Sequence, residues 1–123
     1  MGALIIATQL IIALGIYNVW LLRMDKETAW RGGAAKNMEE EFHVYGLSKL
    51  FMNVIRVVKL AMATLLIVGI WYPPATTMGA TIMAALMLAA VLMHAKVRDP
   101  IQKSLPAASL LVLSLIVALA NPI

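Results

Sequence analysis

The sequence predicts an all-α integral membrane protein, a four-helix bundle with a short interfacial helix in its long first loop. Three observations carry that prediction. Of the 123 residues, 63% are hydrophobic and 13% charged, with a mean hydropathy of +0.90. Soluble domains run nearer ~45–50% apolar and ~25% charged, so a water-facing surface cannot be built from so few polar residues. Four long apolar runs recur, each close to the ~20 residues that cross a ~30 Å hydrocarbon core. Finally, nearly all charges collect in the two loops that four spans would place on one side.

The chain 1–123 reads as one transmembrane domain, with helices at about 3–22, 48–72, 75–96 and 100–120. The first run could pass for a secretory signal, but it lacks a basic leader and its apolar stretch exceeds the usual ~7–15 residues. It reads as a retained helix. Ser48 is placed to cap the second helix. Trp71-Tyr72-Pro73-Pro74 is expected to end it, with aromatic rings at the lipid–water boundary. Asp99 and Pro100 read as N-cap and first residue of the fourth helix, and Pro106 as a kink within it. Alanine and serine at four-residue spacing (Ala80 and Ala84, Ala85 and Ala89, Ser114 and Ala118) permit close helix approach.

The interfacial helix, about 37–45, follows from its ends. Asn37 with Glu40 resembles a capping box, and Gly46 suits a helix stop. Between them Met38, Phe42 and Tyr45 share one face, as expected of a helix lying on a membrane surface. Trp30-Arg31-Gly32-Gly33 reads as a turn before it.

The chemistry-bearing residues are few. Arg56 and Lys59, three apart, share a helix face inside the second span. At 1.5 Å per residue, they lie roughly 10 Å and 15 Å inside from Lys49. A charge that deep costs at least about 2.5–3.5 kcal/mol, and such residues usually face the bundle interior with a partner. Two readings follow: both side chains snorkel to the interface, or they line a ligand pocket. His94, Asn18 and Tyr17 fall at similar depth near the charged end, and Glu40 and Glu41 are the nearest acids able to fold inward. Arg56, Lys59, His94, Asn18, Tyr17, Glu40 and Glu41 are therefore the candidate ligand-binding set. Phe42, Tyr45, Lys96, Arg98 and Asp99 are the candidate docking set for a partner. No metal site is proposed, since two histidines and a glutamate are a weak signal. The nine methionines are scattered as gap-fillers rather than gathered on one face. The absence of cysteine excludes disulfides, thiolate metal sites and cysteine redox chemistry within the chain. The net charge of +4 does not point to nucleic acid, because the bases form no surface stripe.

Several segments carry a family resemblance. They are Tyr17-Asn18-Val19-Trp20-Leu21-Leu22-Arg23, Trp30-Arg31-Gly32-Gly33 with Ala35-Lys36-Asn37, Glu40-Glu41-Phe42, Tyr45-Gly46-Leu47, Lys59, and Met93-His94-Ala95-Lys96-Val97-Arg98-Asp99-Pro100 followed by Leu105-Pro106-Ala107. Together they resemble the DoxX-like family across nearly the whole chain. Ser48 stands where many members carry proline. The resemblance implies a four-helix membrane bundle of the bacterial inner membrane. It implies little about activity, though the founding member is similar to a small subunit of a thiosulfate:quinone oxidoreductase. Fold analogy alone does not transfer function.

The leading expectation is a small accessory multi-pass membrane protein acting with a partner or as a homo-oligomer, in a redox complex for instance, and not an enzyme on its own. The alternatives are a quinone- or lipid-binding subunit with a polar, cytoplasm-facing pocket, and an oligomeric transporter or channel.

Orientation comes from the charges. Eight of the ten bases lie in or beside the two loops: Arg23, Lys26, Arg31, Lys36 and Lys49 at the first, Lys96, Arg98 and Lys103 at the second. Positive loops stay cytoplasmic, so both termini are expected on the opposite side. A reporter enzyme that works only outside the cytoplasm should be active when fused to the C-terminus; activity of a cytoplasm-only reporter there would refute the orientation.

Overall fold

A computed structural model describes residues 2–120. Five α-helices form, and among the described residues there is no strand. They are α1 (Gly2–Tyr17), α2 (Met38–Val44), α3 (Lys49–Val68), α4 (Pro73–Lys96) and α5 (Ile101–Ala120). Four are long and apolar enough to cross a membrane, α1 being extended to Leu22 by a π-helical turn over Asn18–Leu22. Packing runs α1 to α3, α3 to α4, α4 to α5 and α5 back to α1, closing a four-helix ring. Ile12, Ala13 and Ile16 of α1, Ala63 and Leu66 of α3, Ala80, Met83 and Met87 of α4 and Val117 of α5 fill its centre. Leu4, Leu14, Val57, Leu92 and Leu119 point outward. An apolar exterior of this kind costs nothing in lipid, and helices suit that setting because they satisfy most of their backbone polar groups internally.

Local chemistry explains most boundaries. The Ser48 side chain accepts from the Phe51 N–H at 3.1 Å, capping α3. Asn37 accepts from the Glu40 N–H at 2.8 Å, while Glu40 reaches back to the Lys36 N–H at 3.2 Å, one residue beyond the expected box. Gly46, at φ 82°, ends α2. The Gly46 N–H bonds to the His43 carbonyl and the Leu47 N–H to the Phe42 carbonyl, a Schellman closure. Met38, Phe42 and Tyr45 are all buried, so the predicted face of α2 is its inward face.

Two boundaries differ from expectation. The second span ends at Val68, and Pro73 and Pro74 begin α4 rather than end α3. The reason is that proline fits the first turn of a helix, where its missing N–H has no acceptor to lose. The Asp99 carboxylate does not serve as the cap of α5 but bonds elsewhere, as described below. α5 runs unbroken from Ile101 through Pro106.

Small residues set the α3–α4 distance. A Cβ on Gly79 would sit 3.0 Å from the Met62 carbonyl oxygen. Gly69 faces Thr76 so closely that any side chain would collide with its hydroxyl and backbone N. Nearby, the buried Gln9 amide donates to the Leu66 carbonyl at 2.9 Å and to Thr76 Oγ1 at 3.0 Å. This satisfies one of the free carbonyls at the end of α3. Of the paired small residues, Ala80, Ala84 and Ser114 are buried, whereas Ala85 and Ala89 are exposed.

Gly69→Ala should therefore push α3 from α4 and destabilise the bundle by about 1–3 kcal/mol. Thermal unfolding in detergent should show a clearly lower midpoint than wild type; an unchanged midpoint would mean the two helices are not held at this distance.

Candidate functional site

The charged end of the bundle contains a cavity of about 770 Å³, lined from all four spans and roofed by α2 and the loop before it. Its walls are chiefly apolar and aromatic, with Trp20, Phe42 and Phe51 among them, and its polar lining includes Lys59, Glu41, Tyr45 and His94. This is the usual make-up of a small-molecule site: mostly apolar, with a few convergent polar groups.

Lys59 projects from the inner face of α3 and is 8% exposed. Its Nζ lies 4.7 Å from the centre of the Trp20 ring, within range of a cation–π contact. Among the described residues it makes no hydrogen bond or ion pair. Trp20 is held in place by the π-helical turn, where the Arg23 N–H bonds back to the Asn18 carbonyl at 3.0 Å, and by an edge-on contact with Phe42 at 5.9 Å. Single π turns inside α-helices often mark functional positions.

His94, on the last turn of α4, is paired with Asp99. Its Nδ1 lies 2.7 Å from Asp99 Oδ2, the two side chains being 7% and 5% exposed. Burial alone would push the Asp99 carboxyl up. The hydrogen bonds from His94 and the Gly33 N–H, with the charges of His94 and Lys103, outweigh it and hold the carboxyl below its ordinary value. An ionised carboxylate can only accept, so Nδ1 carries the proton and Nε2 is left towards Tyr45. The Tyr45 hydroxyl stands 3.4 Å from Nε2, long for a hydrogen bond.

The chain geometry that permits this pair is local. Arg98 adopts φ 58°, in the left-handed region that is unusual for a side chain of its type. The Arg98 N–H bonds to the Ala95 carbonyl and the Asp99 N–H to the His94 carbonyl. The chain thus folds back at the end of α4 and returns Asp99 over His94.

The Trp30-Arg31-Gly32-Gly33 segment is a tied strap, not a free turn. Arg31, 4% exposed, donates to the Arg23, Met24 and Lys26 carbonyls, the first at 2.6 Å. The Gly32 N–H donates to Glu41 Oε2 at 2.9 Å, and the Gly33 N–H to Asp99 Oδ1 at 2.9 Å. Lys103 donates to the Gly33 carbonyl at 2.6 Å. Gly32 admits no side chain, because a Cβ would stand 2.6 to 2.9 Å from the Tyr45 ring. Burial raises the Glu41 pKa above its ordinary 4.5, opposed by the Gly32 hydrogen bond and the charges of Arg31, His94 and Lys59. Burial likewise raises the Tyr45 phenol, aided by the negative charges of Glu41 and Asp99.

The candidate residues divide accordingly. Lys59, His94, Asn18 and Glu41 line the cavity. Arg56 is half-buried, with its Nε enclosed and without a hydrogen-bond partner, and it lies outside the lining. The Tyr17 hydroxyl bonds to Thr64 at 2.7 Å, and Glu40 caps α2; neither lines the cavity. Of the docking set, Phe42, Tyr45 and the Asp99 side chain are turned inward. Lys96 closes α2 by donating to the Tyr45 carbonyl at 2.8 Å, and Arg98 is exposed. Sequence reasoning passed over Trp20, Arg31 and the two glycine N–H groups, and it took Asp99 for a helix cap. The only signal for them was that they lie in the family-like segments. Among the described residues, no three of histidine, aspartate and glutamate gather as a metal-ion site.

Because burial raises the Glu41 pKa, the folded state holds this proton more tightly than the unfolded chain. The stability so gained is complete below pH 4.5 and is lost as pH rises through the folded value. Glu41→Gln lacks that loss. Its unfolding midpoint should fall less than that of wild type as pH is raised from about 4.5, and parallel midpoint curves would show that Glu41 is not strained by burial.

No curated protein and no solved structure matches the chain. The model of the DoxX-like family matches residues 28–117, from the strap through most of α5, and so covers the cavity roof, Lys59 and the His94–Asp99 pair. The chain is therefore a small membrane protein of the DoxX-like family.

Proposed function

We propose that this chain is the ligand-binding member of a membrane complex, holding the polar head of a lipophilic molecule of the quinone or lipid class. The observation that carries the reading is Lys59. Its Nζ stands in an apolar cavity with an aromatic ring as its neighbour and N–H groups to spare. A buried donor left without an acceptor costs about 1–3 kcal/mol. A carbonyl or phosphoryl oxygen on a ligand removes that cost, and the apolar walls cover the ligand's body.

The strap and α2 roof the cavity on the charged side, while Ile11, Gly15, Leu110 and Leu113 continue its lining down into the spans. That shape suits a molecule anchored in lipid with its head near the interface. A partner fits the same picture: the chain supplies binding and orientation, and the partner supplies further chemistry. The exposed Arg23, Lys26, Lys36 and Arg98 around the roof offer it a charged face. By the positive-inside rule that face is cytoplasmic.

Native mass spectrometry after gentle extraction should find a quinone or lipid retained by wild type and lost from Lys59→Met. Equal retention by the two would overturn the role of Lys59. A protein carrying no small molecule from its own membrane would overturn the pocket reading.

A further inference from the structure

The His94–Asp99 pair reaches beyond binding. His94 lines the cavity, and its ring is fixed by a 2.7 Å contact to a carboxylate that is itself anchored by the Gly33 N–H. Such a carboxylate sets the tautomer and orientation of an imidazole and stabilises its protonated form. The remaining nitrogen, Nε2, has the Tyr45 hydroxyl 3.4 Å away. That separation leaves its lone pair weakly engaged.

We propose that His94 is a proton acceptor for the cavity's ligand, and that the ligand is a lipophilic molecule bearing an acidic hydroxyl on an aromatic ring. This rests on the cavity reading above and narrows its ligand class. In the transfer, the ligand O–H bond breaks, its electron pair stays on oxygen, and a new N–H bond forms at Nε2. The resulting imidazolium faces the Asp99 carboxylate, and the new phenolate lies in the cavity that also holds Lys59. No oxidant or reductant is required. The other ionisable groups around the ring are Glu41 of α2, Tyr45 just after that helix, and Lys103 of α5. Lys103 is drawn to the Asp99 carboxylate at 3.9 Å. Glu41 shares its carboxylate with the Gly32 N–H. Neither therefore displaces Asp99 from the histidine.

The test uses the full chain in lipid nanodiscs and two probes: an alkyl-substituted 4-nitrophenol, whose phenol and phenolate absorb differently, and its methyl ether. The phenol bound to wild type should ionise about one pH unit lower than when bound to His94→Gln, a tenfold shift in its ionisation equilibrium. Asp99→Asn should fall between them. Nitrogen NMR of the labelled ring should place the His94 proton on Nδ1 in wild type and show that preference weakened in Asp99→Asn. This readout needs no ligand and does not depend on His94→Gln folding. Identical ionisation in all three proteins, with both probes bound, would overturn the proton role and leave the cavity reading standing. A wild-type ring protonated on Nε2 alone would also overturn it. If neither probe bound, the cavity reading would fall, and this inference with it.

Discussion

The Asp99 carboxylate is the contact on which the charged end of the molecule depends. One oxygen holds the His94 ring of α4 and the other holds the Gly33 N–H of the strap, while Lys103 of α5 lies near. The end of α4, the start of α5 and the sequence-distant strap thus meet on one side chain. Held in this way, the strap roofs the cavity; released, it would keep Arg31, the Gly32–Glu41 bond and the Lys103 bond to the Gly33 carbonyl. Buried charge-assisted hydrogen bonds are stronger than neutral ones, and losing one partner of a buried pair is costly because the other is left unpaired. The left-handed turn at Arg98 belongs to the same construction. A residue in a sparsely populated conformation persists when its surroundings over-determine it, and here the surroundings are a helix closure on one side and the His94–Asp99 pair on the other.

Deeper in the bundle the governing constraint is different. Lys59 lies deep within a largely apolar span, and its insertion has a cost. Trp20 offsets part of that cost, since an ammonium over an indole face gains about 0.5–2 kcal/mol. The π-helical turn is what brings Trp20 there, so a local irregularity in α1 and an ionisable residue in α3 are parts of one arrangement. The close α3–α4 contact at Gly69, Thr76 and Gly79 lies at the other end of the bundle. Rigid packing is thus concentrated away from the cavity, and open volume sits at the charged end.

Much of this was legible in the sequence, and the limits have physical reasons. Four spans and the α2 face could be read because hydrophobic periodicity and capping are local properties: Ser48, Asn37 and Gly46 act within a few residues of themselves. Lys59, Glu41, Asn18 and His94 could be nominated because an ionisable or polar group near a span has few reasons to be there. Arg56 was nominated on the same grounds, yet three residues along a helix is about 300° of rotation, and it misses the cavity that Lys59 enters. Pro73 and Pro74 were ambiguous because proline both follows one helix and begins the next. Asp99 was misread for a related reason: a local cap is visible in sequence, whereas a partner at Gly33 depends on how α4, α5 and the strap meet. Trp20 was hidden because its position rests on a π turn that no apolar pattern announces.

The two glycines of the strap show how backbone and site are joined. Gly32 leaves room for the Tyr45 ring, Gly33 takes the left-handed φ of 56°, and their successive N–H groups donate to two different carboxylates. A side chain at the first would displace the tyrosine, and at the second would strain the turn. The carboxylates so engaged, Glu41 and Asp99, have opposite tendencies: burial raises the first, while hydrogen bonds and neighbouring charges lower the second. Both backbone bonds favour the ionised acid; the cost of burial at Glu41 and the His94 and Lys103 partners of Asp99 set the two apart. Pairs separated in this way allow one group to hold a proton while its neighbour stays ionised. Asp99, whose pKa is lowered, is the one bonded to His94, and Glu41, whose pKa is raised, lines the cavity. The strap therefore acts as more than a cover, because its successive N–H groups bond both acids at the cavity's head.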